Sequence, residues 1–178
     1  RDSSTSRGLG DVYKRQGTGM GLLWAFKFML FPLGLRIPFL QLLFIVLTIG
    51  VPFLGYIFAK KFRERHCGGS ITFSRAFLFT TFMYMFASLF VAVVHYIYFR
   101  YIDGGFVFEA YRSILNQFKE TAGPELTTSL NQFEEAIDLL SGLTPLEMTF
   151  QLISQNMFYG MLMAIPTALI VMRKKKNE

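Results

Sequence analysis

The sequence has one cysteine, two histidines and one tryptophan among 178 residues, and only 17% of its side chains are charged. The single Cys67 excludes an intrachain disulfide and any multi-cysteine metal site. Beside His66 in a basic stretch it reads as a free thiol, with juxtamembrane S-palmitoylation as the alternative use of such a position. His66 and His95 alone cannot make a histidine-rich metal centre. No H-E-x-x-H signature, Walker loop or G-x-S-x-G elbow occurs, and no apolar stretch carries paired carboxylates. No catalytic residue, metal or cofactor is therefore expected. Gly17, Gly19 and Gly21 are not a dinucleotide fingerprint, because no strand precedes them and the G-x-G-x-x-G spacing fails. They read as close-packing positions on a membrane helix.

What the chain has in quantity is apolar surface: 52% of residues are hydrophobic and 17% aromatic. These residues are clumped. Gly17 to Leu35, Ile37 to Ala59, Ala76 to Phe99 and Leu146 to Met172 are nearly free of charge, and each is near the roughly 20 residues that cross a hydrocarbon core. The pattern predicts an all-α polytopic membrane bundle with four transmembrane helices, at about 17–35, 37–62, 73–101 and 145–172. Pro32 to Arg36 makes a short turn that forces the first two helices antiparallel. Gly50, Pro52 and Gly55 mark a kink or close approach in the second. Thr72 or Ser74 can cap the third helix, and Thr144, Pro145 and Glu147 form a capping box that starts the last.

The formal net charge of +6 could suggest nucleic acid, but the cations sit at the ends of apolar segments and not on a folded basic face. Lys60, Lys61, Arg63 and Arg65 follow the second segment, and Arg173, Lys174, Lys175 and Lys176 follow the last, as the positive-inside rule expects of cytoplasmic ends and anionic-lipid contacts. Residues 100–147 are the reverse, with eight acids against Arg100, Arg112 and Lys119. That segment is expected outside, with both chain ends inside. Its apolar positions, Phe108, Tyr111, Leu115 and Phe118, then Leu126, Leu130, Phe133, Ile137 and Leu140, recur every three or four residues. They predict two amphipathic helices, about 106–121 and 124–142, lying on the membrane or the bundle.

Residues 1–16 are set apart. Asp11-Val12-Tyr13-Lys14-Arg15-Gln16 matches one reading frame of a transposon end used in sequencing libraries, so the segment reads as adapter-derived and disordered, with the native start missing. A natural basic tail is the alternative. The single membrane domain is then 17–176. A lysine at the centre of a crossing costs about 2.5–3.5 kcal/mol on insertion scales. If the native helix begins upstream, Lys27 moves toward the outer end and snorkels; the other reading is a buried functional lysine.

The short first hairpin, the Lys-Lys-x-Arg end of the second helix, the Gly68 to Phe77 run Gly-Gly-x-Ile-x-Phe-x-Arg-Ala-Phe, and the exit Tyr96-x-Tyr98-x-x-Tyr101-Ile102-Asp103 together resemble the membrane family catalogued as domain of unknown function 4199. The resemblance covers Gly17 to Lys176. It implies a bacterial inner membrane, mainly of Bacteroidota, with residues 100–147 in the periplasm, and it brings no activity or functional residue.

One polar set stands inside the apolar segments. Gln41, His95, Gln151 and Gln155 should share a depth in the outer leaflet, at 1.5 Å rise per residue, with Ser154 and Asn156 just below. They could form a periplasm-facing pocket roofed by the amphipathic helices. The alternative is interhelical hydrogen bonding, worth about 0.6 kcal/mol a pair. The function expected first is a non-enzymatic accessory or structural component, contacting lipid and other membrane proteins or a second copy of itself. A subunit of a small transporter or channel is the alternative, and a membrane enzyme acting on lipid is the third. No nucleic-acid partner is expected.

Overall fold

The computed structural model describes residues 3–173. It is all-α: α1 (Ser3–Gly34), α2 (Pro38–His66), α3 (Phe73–Tyr101), α4 (Phe106–Thr121), a 3-10 turn (Pro124–Leu126), α5 (Thr127–Ser141) and α6 (Pro145–Val171). Among the described residues the β-structure is a lone bridge between Ile71 and Arg173. α2 and α3 are long and apolar enough to cross a membrane. α1 starts at Ser3, so residues 3–16 are helical where disorder was expected. No proline interrupts them, and extending a formed helix backwards costs far less than nucleating one.

Each boundary has a local cause. Thr72 accepts a hydrogen bond from the Arg75 N–H and starts α3. At α6, Thr144 and Glu147 bond each other's backbone N–H in a complete capping box, with Pro145 in the first turn. α2 runs to His66, past the expected 62, because Arg63 and Arg65 place positive charge at the negative end of the helix dipole. Gly68 and Gly69, at φ of 60° and 82°, then fold the chain back onto the last turn, where only glycine sits without strain.

α3 is the central helix, packed on α6 and α1, while α2 lies against α1 and α6. Small residues make the tightest seam possible. Gly160, Ala164 and Ala168 repeat every four residues on the buried face of α6, a small-xxx-small ladder, and meet Ala76, Thr80, Ala87, Ser88 and Ala92 buried on α3. Tyr84, the large side chain in that row, is received by glycine on both sides. A Cβ at Gly160 would lie 2.8 Å from Tyr84 Cβ, and one at Gly55 would collide with the Tyr84 hydroxyl. α1 offers the same recess: a Cβ at Gly17 would stand 2.6 Å from Phe86 Cβ and one at Gly21 2.8 Å from Phe90 Cβ.

The end of the bundle where α2 and α6 finish is tied by Arg63, which is 5% exposed and donates from Nη1 to the Val171 carbonyl at 2.9 Å. Ile71 and Arg173 exchange two backbone hydrogen bonds beside it. Cys67 is half-buried in this region, and burial pushes its thiol above the usual range although Arg75 pulls it down. Because only the thiolate reacts, Cys67 should alkylate more slowly than a free thiol at pH 7.5, at a rate rising about tenfold per pH unit through pH 9. Stopped-flow maleimide labelling of the purified chain measures this, and a pH-independent rate would contradict it.

At the opposite end, just after α3, Asp103 is 7% exposed. Its carboxylate accepts from the Gly105 and Val107 N–H groups at 3.0 and 3.2 Å and so caps α4. Asp103→Ala should cost about 1 kcal/mol at that terminus, and Asp103→Asn far less. Hydrogen exchange at the Val107 amide should accelerate about fivefold in the alanine variant; unchanged protection would refute the cap. α4 and α5 then form an antiparallel hairpin, locked by Arg112 with Asp138 at 2.8 Å and Lys119 with Glu134 at 2.6 Å. Leu115 and Ile137 are buried there, while Phe118, Leu126 and Phe133 from the same apolar stripes are exposed.

Candidate functional site

A cavity of about 280 Å³ lies between α1, α2, α3 and α6, toward the end of the bundle where α1 and α3 finish. Trp24, Lys27, Phe28 and Phe31 come from α1, Phe44 from α2, Val91 and His95 from α3, and Leu152, Gln155 and Asn156 from α6. On α1 the polar pair is three residues apart and the phenylalanines follow at the next turn, so a single helix face supplies four lining side chains. Lys27 stands seven residues before the end of α1 and His95 six before the end of α3, about 10 Å from those helix ends at 1.5 Å per residue.

His95 is 4% exposed and its ring meets Phe28 edge to face, with centroids 4.2 Å apart. Its Nδ1 has no hydrogen-bond partner, and the Trp24 Nε1 donor has none either. The Lys27 ammonium lies over the Phe44 ring, 5.2 Å from its centroid. No carboxylate lines the cavity, and among the described residues Lys27 makes no ion pair. The ring contributes about 0.5–2 kcal/mol. That offsets only part of what burying a charge costs. The cation is thus incompletely balanced by the protein. Tyr111 of α4 contacts the lining residue Phe31, with ring centroids 6.3 Å apart. Burial raises the Tyr111 phenol above its usual value.

Of the four polar residues singled out in the sequence, the fold brings two to this cavity. His95 and Gln155 line it. Gln41 instead packs against Gly34, where an added Cβ would lie 2.6 Å from its Oε1, and that oxygen has no partner. Gln151 is exposed and away from the lining. Among the described residues no hydrogen bond joins these four side chains across helices, and Gln41 Oε1 and His95 Nδ1 have no partner. The buried hydroxyls do not bridge helices either: Thr80, Thr149 and Thr167 bond to carbonyls four residues back in their own helix. Among the described residues no group of three His, Cys, Asp or Glu could hold a metal ion.

The sequence does not single out Trp24, and it leaves Lys27 between a snorkelling lysine and a buried functional one. Their shared spacing with Phe28 was the signal available. Among the basic residues assigned to lipid contact, Lys60, Lys61 and Arg65 are exposed, and Lys61 and Arg65 line a second cavity with Arg15 and His66. Arg63 differs: it is turned inward, because the last carbonyls of α6 need a donor. Arg173 is exposed and paired through its backbone to Ile71, and Lys174, Lys175 and Lys176 lie outside the described residues.

A family model described as Protein of unknown function (DUF4199) matches residues 15–173. No curated protein and no solved structure matches the chain.

Proposed function

We propose the following role for this chain, which belongs to the DUF4199 family: a non-catalytic protein of a bacterial inner membrane that crosses the bilayer four times and works by binding a ligand in its outer cavity. The observation that carries the reading is the outward surface of the bundle. Leu22 and Phe26 of α1, Phe39 and Phe53 of α2, Val93 of α3 and Ile170 of α6 are all exposed, an apolar girdle far larger than soluble proteins show. α1 and α6 carry Lys27, Gln155 and Asn156 within otherwise apolar stretches, and these three residues line the cavity. In this reading both chain ends and the loop at Cys67 are cytoplasmic, and the α4–α5 hairpin is periplasmic.

Binding is favoured over transport by what lies beneath the cavity. Trp24 stacks on Tyr84, with ring centroids 5.7 Å apart. Tyr84, Met83, Phe79, Phe62 and Met20 are fully buried and fill the inner half of the bundle. A conducting path would need polar groups through that layer. Proteoliposomes holding the purified chain should therefore show voltage-driven potassium and chloride flux at the level of empty vesicles. Flux that scales with protein content would overturn the binding role in favour of a channel or transporter subunit.

A further inference from the structure

We infer that this cavity takes a single oxyanion carried on an acyl chain, with the Lys27 ammonium as its counter-charge. The inference rests on the binding role proposed above and names the ligand class. Its starting point is a cation that faces a cavity without a carboxylate on any wall. Buried polar groups in proteins are almost always hydrogen-bonded, yet two on this lining are not. His95 Nδ1 and Trp24 Nε1 belong to side chains 4% and 8% exposed, and both lack a partner. The indole N–H can only donate, so the missing group at that atom is an acceptor. The Gln155 and Asn156 amides add further donors at the rim.

One ammonium matches one negative charge. A dianion would leave the second charge desolvated without compensation, which low-dielectric surroundings penalise heavily. The remaining walls are apolar, with Phe28, Phe31 and Phe44 from two helices. The volume of about 280 Å³ falls just under the roughly 300–1,000 Å³ of sites that enclose a drug-sized molecule. It has room for a headgroup and the first carbons of a tail. The rest of the chain would lie in the bilayer, along the apolar faces that the helices expose. A free fatty acid and a net-anionic phosphodiester lipid both present this chemistry, whereas a zwitterionic phospholipid carries its own counter-charge.

Trp24 is the sole tryptophan and lines the cavity, so its fluorescence reports on the site. The full chain in phosphatidylcholine nanodiscs is titrated with 11-bromoundecanoate, with phosphatidylglycerol brominated on its chains, and with uncharged 11-bromoundecanol. At least one anionic probe should quench Trp24 saturably at a concentration about tenfold below the alcohol, as a charge-assisted contact implies. Lys27→Met should remove that preference, Lys27→Arg should retain most of it, and Gln155→Leu should reduce it about threefold. Preference for the fatty acid alone identifies a carboxylate, and preference for the phospholipid alone a phosphodiester; either supports the inference. Equal quenching by acid, phospholipid and alcohol in the native chain overturns the inference while leaving an accessible binding cavity. A preference that survives in Lys27→Met also overturns it. Quenching by no probe removes the binding role as well. The native-chain comparison stands even if Lys27→Met does not fold.

Discussion

Gly160→Leu should be the most damaging single substitution in the bundle, lowering stability by about 3 kcal/mol or more, the upper end of the overpacking range. Helices in lipid gain little from hydrophobic transfer, so close packing carries more of the association. The α3–α6 seam depends on that closeness. A Cβ at position 160 would already stand 2.8 Å from Tyr84 Cβ and 3.2 Å from Cγ, atoms too near the backbone of α3 to swing away. Tyr84 has no second place to go, because Gly55 receives its hydroxyl and Trp24 stacks on its ring. The two helices must part, which also opens the contacts of Ala164 and Ala168. Thermal unfolding in detergent should show the loss, and Trp24 emission should shift as its stack on Tyr84 breaks. Adding Tyr84→Ala should restore part of the stability by emptying the colliding volume. Wild-type unfolding and emission in the single variant would show that the seam is not close-packed there.

Arg63→Ala comes second, at about 2–3 kcal/mol. Hydrogen bonds to charged groups contribute about 1.5–3 kcal/mol, and the Val171 carbonyl would lose its donor in a buried setting. Arg63 also reaches Glu64 at 3.2 Å, but Glu64 is half-exposed and that pair adds little. Arg63→Lys should recover only part of the loss, because an ammonium cannot reproduce the two-pronged geometry. Arg65→Ala, on an exposed neighbour, should stay within about 0.5 kcal/mol and serves as the control. Equal effects at 63 and 65 would mean that Arg63 is a surface charge after all.

The contrast between Arg63 and Arg65 shows where sequence reading reached its limit. Helix starts at Phe73 and Pro145 were legible because their caps are local: one threonine and a neighbouring N–H decide them. The sequence places the end of α2 near 62, four residues short, because apolar periodicity stops there while the final turn is held by charge. Which basic residue turns inward depends on where α6 ends, more than a hundred positions later. His95 and Gln155 could be placed at one depth by counting residues. Counting gives height along a helix but not azimuth, and Gln41 and Gln151 share the height while facing elsewhere. Lys27 looked anomalous as a lone charge in an apolar run, and its meaning appears only when Phe44 and His95 arrive from other helices. The glycines of α1 and the small ladder of α6 are the same kind of case. Their composition suggested close approach, but only the fold shows Phe86, Phe90 and Tyr84 as the side chains they admit.

The central claim is that α1, α2, α3 and α6 each cross the membrane, with the cavity toward the periplasm. Labelling of single cysteines by an impermeant maleimide tests every crossing at once: native Cys67, and Lys14→Cys, Arg36→Cys and Glu125→Cys in a Cys67→Ser background. In intact spheroplasts the account predicts labelling at positions 36 and 125, with 14 and 67 reacting only after permeabilisation. Labelling of position 14 or 67 from outside, or protection of 36 or 125, would contradict it.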